Sequence, residues 1–402
     1  MPNNNTLTTK NKKILFTVWY ADGFHGAVIH ISEIAEYLIA NGWDVYCACT
    51  FLSKNIKEYF ESKGIKISKV DRCDYDLEYD VIWNIHFPLL PFLLKNNIKY
   101  KKIIFNSLSA FLEIETPPIF YEYYTMLLAV SEETKAKMVN SYNIPDEKIK
   151  ILKNVVPLNY FDTQKSFNKT IKKVVIVSNH VPPELLESVS LFDEKGIKCD
   201  IIGKGYNYIS ICPEVLSKYD VIITIGKTVQ YSLAMGTPCY NYDYFGGSGY
   251  INENNLEIEE YYNFSGRSHN TKKTSVEIVS EIIDGYNDTL EKSEKMKEIA
   301  KSRYCISSQI DPIIDYVMSV PDTKIDLKKY AAIIDQYYFL VRTVLHSSKK
   351  IKRLKKMNNT NRKSFIKQIF SIENEYIHGS KHKIIRILGI KFKIKMKNNQ
   401  TS

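Results

Sequence analysis

The feature that narrows the fold most is a repeated alternation: an apolar run, a glycine turn, a segment of helical period, then a second apolar run. It opens at residues 13–20, "KILFTVWY", which read as a buried strand, and passes through the turn "ADGFHGA". Ile29, Ile31, Ile34, Ala35, Leu38 and Ile39 then recur at helical spacing up to Gly42, and "DVYCACT" is a second strand. Strand, glycine turn, helix, strand is the opening unit of a doubly wound sheet, because a parallel neighbour can be reached only by a crossover. The alternation continues with "SKNIKEYFESKG" as helix and "IKISKV", "DVIWNIHF", "KKIIFNSL" and "TMLLAVS" as strands. Ser131 is placed to cap the helix "EETKAKMVNSY".

Residues 157–170 have no periodicity and read as a linker, after which the pattern restarts. "KKVVIVSNHV", "KCDIIGKG", "DVIITIG" and "TPCYNYD" read as strands, and "PPELLESVSLFDEKG", "PEVLSKYD" and "TVQYSLAMG" as the helices between them. Residues 275–304 read as one or two long helices. Two successive α/β halves predict two Rossmann-like domains facing each other, residues 1–165 and 166–318, with a ligand cleft between them. Residues 319–402 are expected to form a helical, strongly basic extension, and "ILGIKFKIKMK" near its end alternates with the period of a strand.

Charge is unevenly spread. Residues 341–402 carry 17 Lys and Arg against two acids, Glu373 and Glu375; the other 340 residues carry 38 basic and 43 acidic side chains. The positive balance therefore belongs to the tail, and the mildly acidic body is not expected to bind nucleic acid. Seven cysteines, with no C-x-x-C pair, are expected to be free thiols in a reducing compartment. "ILFTVWYA" is too short for a secretory signal and no run of about 18 apolar residues occurs, so a cytoplasmic chain is expected. Asp74 and Asp76, in "DYD", fit a solvated acidic loop better than a metal site, and no His/Cys cluster has ligand spacing.

The stretch from Asp220 to Tyr250 has the chemistry of an anion site. Gly226 ends a strand, and Lys227 and Thr228 start a helix, where free backbone N–H groups and the helix dipole favour negative charge. Lys227 adds a cation, Thr228 an N-cap hydroxyl, and Gln230 a side chain for a ribose hydroxyl. Gly246 and Gly247, in "GGSG", offer backbone a ligand can approach closely.

"DVIITIGKTVQYSLAMGTPCYNYD" resembles the donor-binding segment of GT-B type glycosyltransferases, and "LLAVSEETKAKMVNSYNIPDEKIKILKNVV" resembles the end of their N-terminal domain. "DVIWNIHFPLL" is similar to their strand ending in His at the cleft, and "GFHGAVIHISEIAEYLIANGWDV" to their first glycine turn and helix. The resemblance runs from residue 13 to about residue 318. It implies transfer of a sugar from a nucleotide-sugar donor, held by the C-terminal domain, to an acceptor held by the N-terminal one. It needs no metal and no cofactor beyond that co-substrate, since helix N-termini and basic side chains hold the leaving diphosphate.

Two departures stand out: Gln230 occupies the place given to the family's ribose-holding Glu, and "VSNHVPPELLE" lacks the Arg and Lys of many retaining members. Lys227, Lys204 or Arg267 is expected to supply that charge, and Gly203 a close backbone turn. His25, in the first glycine turn, is the expected general base of an inverting reaction, and His86 the expected sugar contact of a retaining one. His180 and His269 are weaker candidates. The tail resembles the basic-apolar ends of enzymes that build bacterial surface polysaccharide. It implies a glycan or lipid-linked acceptor, in lipooligosaccharide or capsule, and peripheral binding of residues 348–397 to the anionic inner face of the cytoplasmic membrane. The rival readings are a catalytically silent subunit docking a polysaccharide assembly complex, and a sugar-phosphate transferase or epimerase on the same fold.

Overall fold

A computed structural model describes residues 11–358, 370–377, 380–387 and 390–395. The chain divides into two compact units, Met1–Tyr338 and Phe339–Ser402. The first contains both α/β halves.

In the first half, strands β1 (Lys13–Ala21), β2 (Asp44–Leu52), β3 (Lys66–Lys69), β4 (Glu78–Asn84), β5 (Lys99–Ser107), β6 (Met126–Ala129) and β7 (Ile149–Ile151) form one sheet. Helices α1 (Gly26–Ala40), α2 (Lys54–Ser62), α3 (Leu89–Lys95) and α4 (Glu132–Tyr142) connect them. The order is β3-β2-β1-β4-β5-β6-β7, parallel throughout. Seven consecutive buried residues in β1 reflect its central place, covered on both faces. Ser131 caps α4 as expected, its hydroxyl accepting from the Thr134 N–H at 3.3 Å.

The second half begins with α5 (Leu158–Phe161), one turn inside the expected linker. It continues through β8 (Lys173–Val177), α6 (Pro183–Glu194), β9 (Lys198–Ile202), α7 (Pro213–Leu216), β10 (Val221–Thr224), α8 (Lys227–Ala234), β11 (Cys239–Asp243) and β12 (Gly246–Tyr250). Helices α9 (Leu256–Tyr261), α10 (Ser275–Glu291) and α11 (Ser293–Tyr304) follow. The sheet order is β12-β11-β10-β8-β9, and only β12 is antiparallel. Strand alternation splits the core in two. Val175, Ile222 and Cys239 pack with residues of α8 and α11, while Val174, Ile176, Ile223 and Tyr240 pack with α6 and α10.

The chain crosses between the halves twice, side by side. Val156 N donates to Tyr304 O at 2.7 Å, and Ile306 N donates to Val156 O at 3.0 Å. The return crossing places α12 (Ile306–Ser319), which the sequence suggested would end the second domain, against the first. Its apolar stripe, Ile306, Ile310, Ile313, Ile314 and Val317, completes the core built on Ile14, Phe16 and Ile31. Each such aliphatic side chain contributes about 1.5–3 kcal/mol by leaving water.

Helix α13 (Ala331–Asn358) begins in the first unit, where Tyr338 stacks on Phe92 of α3 at 5.2 Å. In the second unit β13 (Phe370–Ile377), β14 (Ser380–Ile387) and β15 (Ile390–Lys395) form an antiparallel sheet in that order. The expected final strand is therefore present, while Met396 and Lys397, which the alternation included, lie outside the described residues. Among the described residues no helix is long and apolar enough to cross a membrane.

Candidate functional site

A cleft of about 350 Å³ opens where the carboxyl ends of the second sheet face the β1–α1 turn of the first half. Phe24, His25 and Gly26 line one wall. The other is built from the residues following four strands: Ser178–His180 after β8, Gly203 and Tyr208–Ile211 after β9, Thr228 at the start of α8, and Asp243 at the end of β11. Parallel strands deliver side chains, and helices their N-termini, to this edge of a sheet.

Four expected site residues meet here: His25, Gly203, Lys227 and Thr228. His25 occupies the N-cap of α1. Its Nε2 stands 3.9 Å from Asp22 Oδ1, beyond hydrogen-bond reach, and has no hydrogen-bond partner among the described residues. Burial lowers its pKa below the ordinary imidazole value, so the free base prevails at neutral pH. Gly203 is required by close approach: a Cβ there would stand 1.7 Å from the Ser178 carbonyl oxygen. Gly226, at φ +62°, is the N-cap of α8 and sits between the lining residues Ile225 and Lys227. Thr228 is therefore the second helical residue and not the cap. Among the described residues no side chain caps this helix, and its first turn holds no acid.

Lys227 is not free. Its Nζ pairs with Glu33 Oε2 from α1, across the cleft, and the Tyr231 hydroxyl donates to the other oxygen, Glu33 Oε1. The Glu33 and Lys227 side chains are 10% and 13% exposed. Burial raises the Glu33 pKa even against the pull of Lys227. Beside this pair, burial and the Lys227 charge hold His30 neutral, its pKa lowered to about 3.

The other expected residues lie elsewhere. Gln230 is 1% exposed and faces the interior; one helical step, about 100°, brings Tyr231 to the cleft instead. His86 is 3% exposed. Trp19 N donates to its Nδ1 at 2.6 Å, which puts the ring proton on Nε2, 3.5 Å from buried Glu115. It does not line the cleft. Gly246 and Gly247 do not form a ligand loop, because they belong to β12. Added Cβ atoms there would meet the Thr271 and Asn241 carbonyl oxygens at 2.1 and 1.9 Å, so it is protein backbone that demands glycine. Arg267 is engaged by Glu133 of the first half through two hydrogen bonds, and its guanidinium lies 4.7 Å from the Phe111 ring. Lys204 does not line the cleft, and His269 contacts Glu259 at 3.1 Å, away from it. His180 does line it, held by its N–H to Ser178 Oγ at 3.0 Å.

The sequence reading missed Glu33, Tyr231, Ser178 and Asp243. Glu33 follows Ile29 by four residues and so shares its cleft-facing side of α1, and Asp243 is the last residue of an apolar strand. Both positions were legible signals. Asp74 Oδ1 accepts from the Asp76 and Leu77 N–H groups, the geometry of a capped loop. Among the described residues no three His, Cys, Asp or Glu side chains come together as metal ligands. All seven cysteines are free.

No family model matches the chain, and no curated protein matches its sequence. Among solved structures, a glycosyltransferase from Rickettsia africae ESF-5 is similar at 14% identity and a TM-score of 0.51, over 77% of this chain and 99% of that one. S. aureus TarM, in complex with fondaparinux, alpha-GlcNAc-glycerol and UDP, matches at 11% identity and a TM-score of 0.49, over 77% and 100%. WaaG, a glycosyltransferase involved in lipopolysaccharide biosynthesis, matches at 9% and 0.44, over 76% and 100%. The first of these likenesses, with the two facing parallel sheets and the returning helix α12, fixes the architecture: the chain has the GT-B fold.

Proposed function

We propose that the protein is a glycosyltransferase that moves a sugar from a nucleoside-diphosphate donor to a glycan or lipid-linked acceptor. The observation that carries this reading is the cleft itself. His25, an imidazole kept unprotonated by burial, faces an uncapped helix N-terminus bearing Thr228 and Lys227 across an opening of ligand size. The diphosphate sits at that N-terminus and takes Lys227. His25 removes the acceptor hydroxyl's proton as its oxygen attacks the anomeric carbon; the sugar–phosphate bond breaks and the negative charge stays on the diphosphate. The chain's own groups bind the donor and stabilise the leaving charge. Thermal melting of the whole protein against nucleoside diphosphates and their sugar conjugates tests this. A shift with one base, lost in Lys227→Ala/Thr228→Ala, is expected; no shift with any of them refutes it.

The acceptor belongs to a bacterial surface glycan such as lipooligosaccharide or capsule, and residues 348–397 hold the enzyme at the anionic inner leaflet. The 17 basic residues of the tail support this, each adding about 1 kcal/mol when close to an anionic surface. Cosedimentation with anionic vesicles, lost at high salt and absent with neutral vesicles, is the expected result; equal sedimentation with both overturns it.

One observation favours a second reading, a catalytically silent subunit on the same fold. Among the described residues Lys227 is the only Lys or Arg lining the cleft, and Glu33 already neutralises it. A folded protein that binds no nucleotide would establish that reading.

A further inference from the structure

Asp243 is the one acidic residue lining the cleft among the described residues, and the reading above gives it no task. It ends β11 and is 4% exposed. Its Oδ2 accepts from the Ser178 hydroxyl at 2.9 Å and its Oδ1 from the Tyr244 N–H at 2.9 Å. Ser178 follows β8, and β10 lies between β11 and β8 in the sheet, so the Asp243–Ser178 bond spans the carboxyl end of β10. The place has a topological meaning. The chain leaves β8 toward β9 on one side and returns to β10 on the other, so the crest between β8 and β10 is the switch point of this sheet. Ligands of open α/β sheets enter there.

The chemistry narrows what Asp243 meets. A carboxylate offers about four acceptor positions, and protein donors take two. No Lys or Arg pairs with it among the described residues; of the charged groups around it, His180 favours its ionised form and Glu184 opposes it. Burial raises its pKa to about 6, so it is ionised at neutral pH. An anion in a cleft that takes a diphosphate repels the phosphates and accepts hydrogen bonds from neutral hydroxyls. Tyr231, which also lines the cleft from α8, spends its hydroxyl hydrogen on Glu33 and is left with a neutral oxygen, a weaker acceptor than a carboxylate.

We propose that Asp243, oriented by Ser178, binds a vicinal diol of the donor and selects ligands that carry one. The inference rests on the donor-site reading and deepens it. Two parts of a nucleotide sugar carry such a diol, the ribose and the transferred sugar, and the test separates them.

Affinities of the whole protein and of Asp243→Asn are measured for ribonucleoside diphosphates, for their 2′-deoxy counterparts and for the sugar conjugates. The Asn variant keeps both the size and an acceptor oxygen for Ser178, and its melting curve checks folding. With a ribose diol, the wild type prefers the ribo form by about tenfold or more, and Asp243→Asn loses most of that preference. With a diol on the transferred sugar, ribo and deoxy forms bind alike. The gain from the attached sugar then falls by a similar factor in the variant. Wild-type nucleotide binding with both ratios unchanged by the substitution overturns the Asp243 assignment and leaves the donor site standing. Absence of any nucleotide binding by the wild type overturns both.

Discussion

The Glu33–Lys227 pair makes the sharpest quantitative prediction. Glu33 comes from α1 of the first half and Lys227 from α8 of the second, so the pair ties the walls of the cleft together. Glu33→Gln removes the charge, keeps the side-chain size and preserves an acceptor for Tyr231. Lys227 is then left largely buried without a counter-charge, which costs about 3 kcal/mol, the low end for a broken buried pair because both groups keep slight water contact. Unfolding entropy grows with chain length, so for a unit of this size the melting temperature falls by roughly 4 °C. Nucleotide binding moves the other way. In the wild type a diphosphate must draw Lys227 from Glu33, and the apparent affinity is reduced by the fraction of molecules in which Lys227 is available. Glu33→Gln abolishes that competition and tightens nucleoside-diphosphate binding by about tenfold, while binding of the uncharged nucleoside is unaltered. Calorimetric melting and titration calorimetry on the same sample give both numbers. A variant that melts with the wild type and binds diphosphate no more tightly would refute the reasoning, for Glu33 would then not be holding Lys227 in solution.

Three further outcomes follow from the geometry. His25→Ala is expected to slow transfer roughly 100- to 10,000-fold while leaving nucleotide affinity intact, and the acid limb of the wild-type rate profile to lie below the ordinary imidazole pKa; equal rates would remove His25 from the chemistry. The pKa of Asp243 is about 6 in the folded state against 3.8 for a free carboxyl, so the fold binds this proton more tightly than the unfolded chain does. The resulting stabilisation, about 2–3 kcal/mol, is complete below about pH 4 and lost as pH rises through about 6. Denaturant titrations of wild type and Asp243→Asn should therefore diverge in favour of the variant toward pH 8, and parallel curves would contradict the raised pKa. Gly203→Ala forces the loops after β8 and β9 apart. It should cost about 1–3 kcal/mol and abolish nucleotide binding, whereas wild-type binding would mean the two loops are not in contact.

The architecture was legible because strand burial and glycine turns are local signals. "KILFTVWY" is apolar along its length because β1 is covered on both faces, and the restart at "KKVVIVSNHV" marks the second sheet. The site was legible only where one short segment supplies it, as with His25 and the start of α8. The helix phase marked Glu33, but its partnership with Tyr231, 198 positions away, forms only when the halves close on each other. Gln230 was preferred to Tyr231 by residue chemistry, while the helix phase that decides which of them faces the cleft is set by packing. "GGSG" misled for a different reason. Sequence shows that backbone must be approached closely there, but not that Asn241 and Thr271, and no ligand, make the approach. Residues 306–318 of α12 fall within the expected second domain but complete the core of the first half, because sequence order does not name the core that an apolar stripe joins.

That helix has a consequence for synthesis. The second half is uninterrupted in sequence, from residue 157 to residue 304, whereas the first is sealed by α12, which lies beyond it. On a ribosome the chain of the first half emerges early and must wait, its apolar face over α1 uncovered, until residues near 319 have cleared the exit tunnel. The half made later is thus the one able to finish first, contrary to the usual N-to-C order. Protease pulses on stalled nascent chains would show it: with stall points just before α12 has emerged, residues 157–304 should resist cleavage while residues 13–156 are still cut. Protection of the earlier segment at those stall points would show that it closes without α12.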